Sequence, residues 1–355
     1  MFEREKWYDK LPSDAFEVCN YNLDLFFRTM YERQMIWKRR FLDGKTRPWT
    51  ENTILANYKF TNVYRELDRS SQWQIRNILL DKNLSLTNLV WKLMVYRFFN
   101  NPETFTFEPS AQGDLFNQEP KGVGASRWRN GIPDYEQYDE DEFADFIQSI
   151  RDAGRNPYTN AYLINSMATP GKPRDYCYTR LVIPSLHKAI PRLMKEVFSA
   201  KKPEDIIRYL KTIPSVADFI AHEFYQDFTY ISRYTDRQFM RFDQNDYTNV
   251  GPGASVGIRL IFPQLKGKAQ KQGIYRLRDM AADRLGQIGR DLGEPFPYLY
   301  FDKSSGSYYV NGTTCNITLH QIEMWLCEFQ KYWKMTIGEG KQRSEFVPKT
   351  KTWTR

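Results

Sequence analysis

Apolar residues recur at spacings of three and four along most of the chain, and that period predicts helices. The first long stretch, DAFEVCNYNLDLFFRTMYERQMIWKRRFLDG, keeps the period until Gly44 stops it. PWTENTILANYKF offers Thr50 as an N-cap ahead of a shorter apolar stripe. SSQWQIRNILLD and SLTNLVWKLMVYRFFN predict two more helices. Residues 101–135 change character. They carry Pro and Gly with few aliphatics and read as a long connection. DYEQYDEDEFADFIQSIRDAG restarts with acidic residues at the positive end of a helix. NAYLINSMATPGKPRDY is compatible with a short strand and turn or with a helix. RLVIPSLHKAIPRLMKEVFSA is helical with Pro184 and Pro191 expected to interrupt it. KPEDIIRYLKTI, ADFIAHEFYQDFTYIS and HQIEMWLCEFQKYWKMTIGEG complete the helical set. FPYLYFDKSSGSYYVNGTTCNITL carries hairpin-like turns, and KQRSEFVPKTKTWTR is an irregular basic tail. The pattern predicts a mainly α chain with a small β element. It divides into an N-terminal helical region, 1–135, and a second helical region, 136–355, packed as one catalytic unit.

Composition narrows the partners. The 355 residues carry a net charge of +8, which suits a polyanion such as nucleic acid as well as it suits a merely soluble basic protein. Cys19, Cys177, Cys315 and Cys327 form no C-x-x-C pair, and there are 3 histidines, so metal-ligand spacing is absent and no metal is expected. Reduced thiols in a cytoplasm fit this cysteine usage. The N-terminus MFEREKWYDKLP has no apolar core and is not a signal peptide. No run reaches the roughly 18 apolar residues of a membrane helix, so no membrane partner is expected.

Chemistry concentrates in three segments. KFTNVYRELDRSSQW places Arg65, Glu66, Asp68 and Arg69 beside Asn62 and Tyr64. Arg65 and Arg69 are four apart, and on one helical face their forks would hold a phosphate; a salt-bridged helix end is the plainer reading. TIPSVADFIAHEFYQDFTY joins two helices through a Pro-containing turn, with Ser215 and Ala217 where a helix–hairpin–helix usually has glycines. FDQNDYTNVGPGASVGIRL sets Asp243 and Asp246 just before Gly251-Pro252-Gly253. The glycines permit backbone amides to face an anion at a helix start, or they merely end a turn. No G-x-x-x-x-G-K-[ST] loop exists, which disfavours a kinase of that type, and no G-x-S-x-G exists. Trp128, between Arg127 and Arg129, is either a base-stacking unit or an ordinary exposed loop residue. Cys327 reads as packing rather than as a nucleophile.

FTNVYRELDRSSQW, NLVWKLMVYRFFN, DYTNVGPGASVGI and IEMWLCEFQKYWKMTIGEGKQR together resemble the phage alpha-glutamyl/putrescinyl-thymine pyrophosphorylases, or amino acid:DNA transferases, relatives of the helical domain of 5-hydroxymethyluracil DNA kinases. The resemblance runs from about Phe26 to about Pro348. It implies a helical, DNA-glycosylase-like core related to helix–hairpin–helix proteins. It also implies phage thymidine hypermodification in the host cytoplasm, protecting viral DNA from restriction. In that pathway a transferase replaces the phosphate or pyrophosphate of 5-phosphomethyl-deoxyuridine in double-stranded DNA with an amino acid, glycine favoured, or a polyamine, without a cofactor. The expected roles are Asp246 as general base, with Asp243 its substitute; Arg65 and Arg69 on the leaving phosphate, with Gly251 and Gly253 amides as alternative donors; Glu66 and Asn62 beside them; and Lys331 or Arg343 on an amino-acid carboxylate. A glycosylase-like enzyme that excises a modified base, or a non-catalytic DNA-binding subunit of a modification complex, are the competing expectations.

Overall fold

The computed structural model describes residues 17–105, 128, 131–159 and 171–340. In chain order the elements are α1 (Asn20–Trp37), α2 (Thr53–Asn57), α3 (Arg69–Gln74), α4 (Leu86–Phe99), α5 (Pro102–Phe105), α6 (Glu140–Asp152), α7 (Arg174–Cys177), α8 (Ile183–Ser199), α9 (Pro203–Leu210), α10 (Asp218–Tyr234), α11 (Pro252–Ile261), α12 (Gln270–Leu292), β1 (Tyr298–Asp302), β2 (Ser307–Asn311) and α13 (Leu319–Thr336). The chain is mainly α with a small β element. β1 and β2 form a two-stranded antiparallel sheet, with Tyr300 opposite Tyr309. The irregular tail and most of the Pro- and Gly-bearing connection lie outside the described residues.

The chain divides into two compact units, and not at 135/136. One unit is Met1–Asp68 with Gln244–Arg355; the other is Arg69–Asp243. A linear reading misses this because the first and last helical stretches are apolar on faces that need each other. In the first unit, Trp325 of α13 donates its indole N–H to the Phe26 carbonyl of α1 at 3.2 Å. Phe26 and Phe329 meet edge to face at 5.5 Å. Asn22 donates to the Leu260 carbonyl at the end of α11 (2.7 Å), and Gln34 donates to the Pro297 carbonyl just before β1 (3.1 Å). These bonds occupy carbonyls that helix and strand ends leave open. α11 lies against α13 along Gly253 and Gly257. A methyl group at Gly253 would collide with Cys327, and one at Gly257 would sit 2.5 Å from the Leu326 carbonyl oxygen.

The second unit is built on a buried ion pair. Arg97 of α4 and Asp227 of α10 are 0% and 1% exposed, respectively. The Arg97 Nε–H donates to Asp227 at 2.7 Å, and its fork also donates to Gln74 (2.9 Å). A charge pair so deep is tolerable only because further polar groups complete its hydrogen bonds. An aromatic cluster surrounds Trp128, which is fully buried. Its ring lies 4.5 Å from Phe143 and 5.8 Å from Phe146. Neither an exposed loop position nor a base-stacking platform describes it; the cluster takes up its whole surface. Arg127 and Arg129 lie outside the described residues.

Local expectations fared unevenly. Asp139 caps α6 by accepting from the Glu142 N–H, beneath the predicted acidic turn. The cap of α2 is Asn52 rather than Thr50: Asn52 accepts from the Leu55 N–H at 3.0 Å, and Thr50 instead accepts from the Asn52 N–H. Neither proline breaks α8. Pro184 sits in its first turn, where no N–H bond is lost. Pro191 is interior, but the apolar face of Leu186, Ile190 and Leu193 stays buried around it. The turn between α9 and α10 puts Ser215 at φ 65, the left-handed region that glycine usually fills. Serine thus supplies a backbone bend that the missing glycine argued against. Among the described residues no helix is long and apolar enough to cross a membrane.

Removing one partner of the buried pair strands the other charge. Asp227→Ala is expected to lower unfolding free energy by about 3–5 kcal/mol, read from urea denaturation. The double variant Arg97→Met with Asp227→Leu should recover much of that loss.

Candidate functional site

The first unit gathers its chemistry around the loop 61–68. The loop stays in place because its own polar groups tie it to α1 and α13. The Thr61 N–H donates to the buried Glu328 carboxylate at 3.4 Å. Asn62 donates to Asp68 from both its backbone N–H (3.1 Å) and its side-chain amide (2.9 Å), closing the loop on itself. Its side-chain oxygen accepts from Arg33 of α1 at 2.8 Å. The Tyr64 hydroxyl donates to Asn316 at 2.5 Å. The same short segment binds the chain just beyond the second unit, since the Leu319 N–H donates to Asn245 at 3.3 Å. Residues 316–319 therefore anchor both the Arg65 loop and the turn that carries Asp246.

Arg65 and Glu66 occupy a 3-10 turn, Arg65–Leu67, and both are buried. Asp68 follows in extended backbone, and α3 starts only at Arg69. Arg65 and Arg69 consequently share no helix, which removes the expected two-guanidinium clamp. Arg69 is partly exposed and pairs with Glu103 at 2.6 Å within the second unit. A short polar segment between two helices leaves the i, i+4 rule without a helix to act on.

Asp68 is the residue that the sequence reading passed over. Burial pushes its carboxyl up to about 6, against the pull of the Asn62 N–H and the guanidiniums of Arg33 and Arg65. The same burial lowers Arg33 to about 10, with Asp68 and Glu328 opposing the shift. A carboxylate titrating near neutrality beside two fixed cations can accept a proton from an attacking nitrogen or return one to a leaving group. Its spacing from Arg65 was visible, but nothing in a linear string shows that a loop aspartate loses its water.

Gly251 and Gly253 serve packing. The Gly251 N–H donates to Glu323 at 3.1 Å, so a carboxylate from α13 already occupies that amide. Gly253 is where α11 meets Cys327. Burial pushes the Cys327 thiol up to about 11, so it stays protonated at neutral pH, consistent with packing rather than nucleophilic attack. Lys331 is held by Glu328 at 2.7 Å; burial pulls its ammonium down, and Glu328 outweighs that and raises it. Asp246 is half-buried in the turn Gln244–Asp246. Asp243 ends the second unit, where its carbonyl accepts from Tyr225 at 3.0 Å. Arg343 lies outside the described residues.

The folded chain retains the Asp68 proton that the unfolded chain releases between about pH 4 and pH 6. Stability from this group is present at low pH and is lost as pH rises through that window. Asp68→Asn should therefore gain on the wild type from pH 4 to pH 6.5 and then level off, by at most roughly 3 kcal/mol for a two-unit shift. Urea unfolding across pH 4–7.5 measures it; a constant difference would contradict the raised value.

The comparisons with known proteins agree with the helical architecture. The family model described as 5-hmdU DNA kinase, helical domain, matches residues 20–121 and 126–342. A 5-hmdU DNA kinase of Bacillus phage SP10 is 27% identical over 318 residues, covering 87% of this chain and 44% of that protein. The chain thus spans less than half the length of this relative. No solved structure matches it. With a family model matched over nearly all of its described length, the chain belongs to the family of the 5-hmdU DNA kinase helical domain.

Proposed function

We propose that the chain is a transferase of phage thymidine hypermodification: it replaces the phosphate of a 5-phosphomethyl-deoxyuridine in double-stranded DNA with an amine, glycine favoured. The observation that carries this reading is Asp68, held near pKa 6 between Arg33 and Arg65. The reaction needs those two functions side by side. A guanidinium, Arg65, stabilises the negative charge that grows on the departing phosphate. A carboxylate takes the proton that the attacking nitrogen loses as the C–N bond forms and the C–O bond to phosphate breaks. Asp68 is that base, and Asp246 is the second candidate. The base must leave the duplex stack to expose its methylene to both partners, at a cost of a few kcal/mol. The family supports the setting, a modified thymine in phage DNA. The transfer itself rests on the site chemistry and on the absence of a G-x-x-x-x-G-K-[ST] loop in the sequence.

The name of the phage relative favours one other reading, a helical module that serves phosphorylation of the hydroxymethyl group. One assay separates the two. The protein is incubated with phosphomethyluracil DNA and a mixture of glycine, other amino acids and putrescine; the DNA is then digested and its nucleosides weighed. Transfer predicts a nucleoside that has lost phosphate and gained an amine. Excision would give free base and abasic sites, and a binding module would give no product. Asp68→Asn should slow transfer by about 100-fold or more while DNA binding is kept. An undiminished rate in Asp68→Asn, with loss in Asp246→Asn, would move the base role to Asp246.

A further inference from the structure

A second feature of the first unit lies outside every expected site residue. α1 continues into a π-helical turn, Lys38–Leu42, and the wider turn directs Arg40 and Phe41 differently from a regular helix. The chain then returns through Arg47, Pro48 and Trp49 to α2. Between them is an open-mouthed hollow of about 770 Å³, including its solvent opening, within the range of small-molecule sites. Its lining includes Arg33, Arg40 and Arg47 and not a single carboxylate. Two of these guanidiniums lie against one aromatic face: Arg40 is 5.0 Å and Arg47 5.3 Å from the centre of the Trp49 ring. Arg40 also lies 4.6 Å from the Phe41 ring. Trp37 lines the same hollow; it is 5% exposed, and its indole N–H finds no acceptor among the described residues. Burial lowers Arg40, and the Arg47 charge lowers it further. Gathering like charges in a part-dehydrated hollow is costly unless an anion enters it.

We propose that this hollow binds a phosphate monoester carried on a planar base, the chemistry of a pyrimidine nucleotide. Arginine forks suit phosphate oxygens, and fixing them over Trp49 lowers the entropy lost on binding. The indole N–H of Trp37 is a further donor for an oxygen. An inorganic anion alone would leave the aromatic walls unused, whereas a flat ring stacks on them. Free amino acids and polyamines are poor occupants, because an ammonium group would meet three positive charges. The inference stands on this geometry and does not depend on the transfer reaction, since binding is measurable without turnover.

Calorimetric titration of the full chain tests it with thymidine 5′-monophosphate, thymidine, inorganic phosphate, glycine, putrescine and a 5′-phosphorylated oligothymidylate. The monophosphate should bind at least tenfold more tightly than thymidine and than inorganic phosphate, and glycine and putrescine should not bind this hollow. Arg47→Gln and Arg40→Gln should each weaken the monophosphate by about tenfold, as expected for losing a charge-assisted bond. Arg47 is exposed, so its variant keeps the fold, and a thermal melt verifies this. Tighter binding of the oligothymidylate with the same arginine dependence assigns the occupant to a DNA strand; tighter binding of the monophosphate assigns it to a free nucleotide. Equal binding of thymidine and its monophosphate, or wild-type affinity in both variants, overturns the proposal.

Discussion

The close approach of α11 to α13 is the constraint on which the first unit depends. It exists because Gly253 and Gly257 leave no side chain between the helices. Backbone contact at this distance sets the rotation of α13 about its own axis. That rotation sends Glu323 to the Gly251 amide and Glu328 to the Thr61 amide. Glu328 then fixes where the loop 61–68 begins, and the loop fixes Asp68. A glycine pair that looks like a phosphate cradle in one dimension thus acts on the candidate site through helix packing, with no anion involved.

Charge is treated differently in different places. In the second unit the Arg97–Asp227 pair is sealed, complete in its hydrogen bonds and inaccessible to a ligand. In the first unit Asp68 is also deprived of water, but it shares its cations with a loop rather than a sealed helix interface, and its proton affinity rises toward neutrality. The hollow around Trp49 goes further, collecting cations without lining carboxylates. Only the last two arrangements leave an electrostatic demand that a substrate can satisfy, which is why the functional reading concentrates there.

Much of the helical architecture was legible. Helices recur wherever the apolar period holds, and Asp139 and Ser85 cap theirs through side-chain bonds to the third residue on. The hairpin turns became β1 and β2. The failures have physical causes. Thr50 lost its cap because Asn52 lies two residues nearer the helix and competes for the same amides. Pro191 did not interrupt α8 because the burial of one face outweighs one missing bond. Trp128 was misplaced because flanking charges suggest a surface, whereas aromatic neighbours from α6 bury it.

By itself, the amino-acid sequence determined which segments are helical, that Arg65, Glu66, Asp68 and Asn62 crowd one loop, and that Cys327 is a packing thiol. Those follow from period, neighbour identity and the absence of partners nearby in sequence. Only the tertiary structure decided that the chain divides after Asp68 and again after Asp243, that Arg65 and Arg69 part company, and that three arginines from α1 and its following turn surround one hollow. It also decided that Asp68, rather than any aspartate near the glycines, carries the perturbed carboxyl. The reason is dielectric and geometric. Loss of water around a charge depends on residues far away along the chain, and no local pattern encodes how much water that packing removes.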